Sequence, residues 1–145
     1  MSSFDLSGKS ILITGASSGI GRAIAVACAK SGAKCILVAR NEERLNQVAA
    51  ECGQDASVEK VDVANVSELA SLVERVPVLD GLVQCAGISD THRPLKFLSP
   101  EFVDLVFNIN VKAPILLLLL LAKNKKLNKS ASVVMMSIED RKSVV

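Results

Sequence analysis

Thr14-Gly15-Ala16-Ser17-Ser18-Gly19-Ile20-Gly21 is the stretch that decides how this chain folds. The apolar run Ile11-Leu12-Ile13 precedes it, and Ile20, Ala23, Ile24 and Ala27 follow at helical spacing. The pattern predicts a buried strand, a glycine-rich turn and an amphipathic helix carried by those four residues. Gly15 allows the tight turn out of the strand, Gly19 lets a phosphate approach the main chain, and Gly21 lets the helix pack closely on the sheet. The first N–H groups of a helix have no partner inside it, so they point at a bound anion. Ser17 and Ser18 add hydroxyl donors. The competing reading is an ordinary glycine-rich strand-to-helix turn.

Working outward, strands are expected at 10–14, 35–39, 57–61, 81–84 and 132–136, alternating with helices. The first helix spans about 18–31 and Gly32 closes it as a left-handed cap. Asn41 caps the second, with Glu42 and Glu43 in its first turn, and Leu45, Val48, Ala49 and Cys52 form its inner stripe. Asn65 with Glu68 reads as a capping box for a third helix that buries Leu69, Leu72, Val73 and Val76. Ser99 and Pro100 start a long helix to about 123, kinked at Pro114. Such alternation implies an α/β fold: a three-layer, doubly wound parallel sheet of Rossmann type in the order 3-2-1-4-5. Its ligand crevice lies between strands one and four, at their carboxyl ends. The glycine turn, Ala39-Arg40, Asp62-Val63 and Cys85-Ala86-Gly87 all converge there.

With 145 residues the chain fits one domain. A net charge of +2 leaves no nucleic-acid footprint. Cys28, Cys35, Cys52 and Cys85 form no metal-ligand spacing, so no metal is expected; reduced thiols in a cytoplasmic protein are the simpler reading. The run 115–121 is very apolar but shorter than the roughly 20 residues a bilayer span needs, so it reads as the buried part of a helix with no membrane partner. His92 has no carboxylate or nucleophile pattern around it and reads as a surface loop histidine.

The spacing T-G-x-x-x-G-x-G resembles that of the short-chain dehydrogenase/reductase family. The resemblance runs from Leu6-Ser7-Gly8-Lys9 to about Ser137, through several motifs in the family's order. It implies an oxidoreductase moving hydride between NADPH and a ketone or alcohol, most similar to β-ketoacyl-(acyl carrier protein) reductases, with a small-molecule or carrier-bound carbonyl substrate and a homo-oligomeric full-length form. Arg40 is similar to the family's NADP-selecting basic residue; its bland alternative is a solvated surface arginine. Asp62-Val63 matches the adenine-binding pair, unless Asp62 merely ends a strand. Gln84-Cys85-Ala86-Gly87 stands where the family has N-N-A-G: Gln84 is expected to bond neighbouring strands, whereas Cys85 lacks the amide. Asn110 matches the helix asparagine that holds a water toward the catalytic lysine; alternatively it satisfies a helix irregularity near Pro114.

The family's proton donor is a tyrosine in Y-x-x-x-K, and these residues include no tyrosine. The resemblance puts Ile138 where the catalytic serine belongs, with Ser137 one residue early and so facing the other side of a strand. The tail 140–145, Asp-Arg-Lys-Ser-Val-Val, has no apolar periodicity, and a common sequencing-library adapter encodes the same residues in one frame. Residues 1–139 are therefore expected to be an incomplete NADP-binding domain truncated after strand five, inactive as it stands, and 140–145 a non-native tail. The alternative is a non-catalytic nucleotide-binding or scaffold protein on the same fold.

Overall fold

The computed structural model describes residues 4–88 and 93–137. His92, Ile138 and the tail 140–145 lie outside the described residues. One sheet carries β1 (Ser10–Thr14), β2 (Lys34–Ala39), β3 (Ser57–Lys60), β4 (Leu79–Gln84) and β5 (Leu127–Met135). The order is β3-β2-β1-β4-β5 and every pairing is parallel. Around it lie α1 (Gly19–Lys30), α2 (Glu42–Cys52), α3 (Val66–Arg75), α4 (Pro100–Phe107) and α5 (Ala113–Lys123). A π turn at Asn108–Lys112 joins the last two. The three-layer, doubly wound Rossmann sheet is therefore present.

Strand alternation divides the core in two. Ile11 and Ile13 pack with Cys35, Leu37, Leu45 and Val48 on the α1–α2 face. Leu12 turns the other way, to Ile36, Val38, Leu69, Leu72 and Leu117 on the α3–α5 face. Each such side chain contributes about 1.5–3 kcal/mol when removed from water. The caps follow local chemistry. The Asn41 side chain accepts the Arg44 N–H at 3.0 Å, Asn65 accepts that of Glu68 at 3.2 Å, and Ser99 accepts that of Phe102 at 3.1 Å. The capping box at Asn65 is half made, because the Glu68 carboxylate leans to the Asp62 N–H at 3.5 Å instead.

Four expectations change. The buried residues of α1 are Gly21 and Ala25, while Ala23 and Ala27 are exposed and Ile20 stands 60% exposed. The close seat of Gly21 on the preceding turn sets the phase of the helix, overriding the more apolar stripe. β5 begins at Leu127 rather than 132. A register irregularity between Leu79 and Gly81 admits a polar stretch, and the Asn128 amide donates to Asp80 Oδ1 at 2.9 Å. Asp80 Oδ2 accepts the Ser10 N–H at 2.9 Å, which with Asn128 holds its carboxyl below the usual range.

The leucine run is not wholly buried: Leu117 and Leu121 are, but Ile115 and Leu119 are 56% and 45% exposed. The helical segment Pro100–Lys123 has 24 residues and contains an 18-residue window of mean hydropathy 2.1, long and apolar enough by length and composition to cross a membrane. Leu117 and Leu121 nevertheless pack into the core against the sheet and α3. The irregularity expected at Pro114 is the π turn just before it. Proline lacks the N–H that an α-turn would use there, and the wider turn accommodates that loss.

Candidate functional site

The carboxyl ends of the strands open on one cleft of about 880 Å³. Gly15, Ser17, Ser18, Ile20 and Gly21 line one wall. Arg40 stands past β2, Asp62 and Val63 past β3, and Cys85, Ala86 and Gly87 past β4. Gly19 opens onto a neighbouring surface groove with Arg22 and Ala23.

The glycine turn is built by contact. Gly15 has φ +65°, and a Cβ on it would lie 2.7 Å from the Ala86 nitrogen. The turns after β1 and β4 therefore touch, which closes the floor between them. A Cβ on Gly21 would run into the Gly15 carbonyl, whose carbon is 2.8 Å away. Gly21 thus seats α1 on its own turn rather than on a strand. Gly19 has φ +56° with open space where a Cβ would point. Backbone conformation demands the glycine there, and the space suits a phosphate. Ser18 is the N-cap of α1 but makes no side-chain cap bond, unlike Asn41, Asn65 and Ser99. The first N–H groups of α1 are thereby left to an anion.

Thr14 is 2% exposed, and its Oγ1 accepts the N–H groups of both Cys85 and Ala86 at 3.2 Å. This hydroxyl fixes the strand-four turn whatever side chain residue 85 carries. The Cys85 thiol is raised by burial and stays protonated at neutral pH, so it brings no charge to the cleft. Gln84 does not bond a strand: its Nε2 donates to the Pro114 carbonyl at 3.0 Å. The longer amide reaches past the sheet to the helix. Asn110 closes a two-bond clasp on Ile88, accepting its N–H at 2.8 Å and donating to its carbonyl at 2.7 Å. Its amide thus ties the π turn to the loop after β4. Asp62 Oδ1 accepts the Ala64 N–H at 3.0 Å.

Met136 and Ser137 both line the cleft. β5 ends at Met135, and the Met136 N–H still donates to the Gln84 carbonyl at 3.0 Å. Arg44, Lys60, Ile88 and Ile109 also line it and escaped the sequence reading. Arg44 lies four residues beyond Arg40 and Lys60 two before Asp62, but only the side-by-side placement of β2, β3 and α2 brings them to one cleft.

A family model described as short chain dehydrogenase matches residues 9–141. The 3-oxoacyl-(acyl-carrier-protein) reductase FabG of Rickettsia prowazekii is 40% identical over 113 residues, covering 78% of this chain and 46% of that protein. The chain spans about half the length of the curated relatives it matches. The structure of 3-ketoacyl-(acyl-carrier-protein) reductase from Brucella melitensis, complexed with NADH, is similar with a TM-score of 0.77 and 32% identity, covering 82% of this chain and 51% of its own. A metagenomic short-chain oxidoreductase in complex with NADP gives a TM-score of 0.76 and 35% identity, covering 81% of this chain and 57% of its own. The glycine turn, the parallel sheet and these matches together place the chain in the short-chain dehydrogenase/reductase family of oxidoreductases.

Proposed function

We propose that this chain is the cofactor-binding portion of an NADP-dependent short-chain reductase of the 3-oxoacyl-(acyl carrier protein) type. The observation that carries the reading is the uncapped start of α1 at a glycine turn, opening on a cleft whose far end holds Arg40 and no acid at Ala39. The N–H groups of α1 hold the pyrophosphate, and Ser17 and Ser18 donate to it. Asp62 and Val63 receive the adenine. Arg40 takes a 2′-phosphate with its planar fork, where an acid would instead favour a ribose diol. Ala86 and Gly87 support the nicotinamide-side ribose. The cofactor supplies the hydride; the protein supplies position, and Asn110 positions the loop after β4.

The 145 residues contain no tyrosine, so the isolated chain lacks the family's proton donor and is expected to reduce no ketone. A second reading is a non-catalytic nucleotide-binding protein on the same fold, which a coding sequence continuing into Y-x-x-x-K would exclude. Free thiols at all four cysteines suit the cytoplasm. The exposed apolar residues Phe107, Val111, Ile115 and Leu119 suit a homo-oligomer contact.

The test is a titration with NADPH and NADH. NADPH binds more tightly, and Arg40→Ala weakens it selectively by about 1.5–3 kcal/mol, the range for a charge-assisted contact. Equal affinities of the parent chain for the two cofactors would sink the NADP reading.

A further inference from the structure

We infer that the 2′-phosphate is held by three cations, with Lys60 and Arg44 completing a socket begun by Arg40. The inference rests on the NADP reading above. The three residues come from three elements that meet at one corner of the cleft, and all three line it. Lys60 is the last residue of β3 and pairs in register with Ala39, the last residue of β2. Ala39 and Val58 pack with the α1–α2 core, so Lys60, two residues after Val58, leaves the sheet on that same face. The first turn of α2 lies there and carries Arg44. Arg40 occupies the link between β2 and α2.

None of the three is paired. The ion pairs among the described residues are Arg22 with Glu51 and Arg75 with Glu59. Glu59 neighbours Lys60 along β3 but bonds Arg75 of α3 across the opposite face, through Nε at 3.1 Å and Nη2 at 2.9 Å. The acids on the same wall are Glu42 and Asp62, and Asp62 already accepts the Ala64 N–H. Glu43 stands beside Glu42 in the first turn of α2. Three cations facing one cleft gain from an anion held among them. A neutral ribose diol gives them nothing. A phosphate near pH 7 carries close to two charges and three terminal oxygens, enough to meet one donor from each element.

The experiment uses the whole chain with adenosine 2′,5′-bisphosphate and 5′-AMP as probes, by calorimetry. These report the adenosine end without the nicotinamide. Lys60→Gln and Arg44→Gln each remove one charge at an exposed residue, and a circular-dichroism melt checks their folding. Each is expected to weaken the bisphosphate roughly tenfold, as loss of one charge-assisted contact does, and to leave 5′-AMP affinity unchanged. Arg44→Lys should restore part of the loss. If both Gln variants keep the parent preference while Arg40→Ala abolishes it, the three-cation socket is overturned and the NADP reading stands. If the parent chain prefers neither probe, both fall.

Discussion

The two ends of the sheet are built on different terms. On the β3-β2-β1 side, small residues let elements sit close: Gly21 meets Gly15, Ala25, Ala33 and Cys35 fill what remains, and at its border Gly15 meets Ala86 of the turn after β4. Cys35 is so enclosed that burial, with lesser contributions from Cys28 and Cys52, pushes its thiol up to about 12. On the β4-β5 side, large residues stand half open. Val133, Val134 and Met135 of the edge strand are 40–50% exposed, as are several residues of α4 and α5. The first side draws its rigidity from steric exclusion, which tolerates no added atom. The second draws it from one buried stripe and a few amide bonds, which tolerate more.

The sharpest break of that contrast is Gly15→Ala. A left-handed conformation costs an alanine about 1–2 kcal/mol and forced overpacking about 1–3 more, so roughly 2–5 kcal/mol of stability should be lost. Urea unfolding measures it, and an unchanged midpoint would show that the turn can open. Next, Leu117→Ala should cost about 2–3 kcal/mol, the low end for a buried leucine, because α5 has free space to relax into. Leu119→Ala, on the exposed side of the same helix, should stay within about 0.5 kcal/mol. Equal losses at the two sites would mean that α5 is covered more evenly than its exposures indicate. The smallest effect is Asn110→Ala, about 1 kcal/mol, since Asn110 is exposed and water can replace its bonds to half-buried Ile88. Hydrogen exchange at the Ile88 amide should accelerate clearly, and unchanged exchange would remove the clasp from the account.

The same contrast explains what could be read from the residues alone. Strands, caps and the convergence of Arg40, Asp62 and Ala86-Gly87 follow from local rules: apolar runs, Asn and Ser before helices, glycine after strands. The phase of α1 did not, because Gly21 outweighs Ile20 only through a contact with a carbonyl six residues back in the chain. The extension of β5 to Leu127 was hidden by its polarity, as Asn128 pairs through Asp80 rather than through burial. Gln84 reaching Pro114 and Asn110 reaching Ile88 are contacts between distant segments that no period announces. Arg44 and Lys60 are ordinary surface cations until β2, β3 and α2 are set side by side.

The π turn has one more consequence. The buried residues along the last helical segment are Ile109, Ala113, Leu117 and Leu121, four apart each time. In an unbroken α-helix every step of four over-rotates by about 40°, so such a row would wind away from the core. The wider turn between Ile109 and Ala113 takes up part of that drift and brings the row back onto one line. The segment thus behaves as a vernier. Chain length at 108–112, more than any side chain there, selects which face of α5 meets α3, and losing one residue would be felt at Leu121.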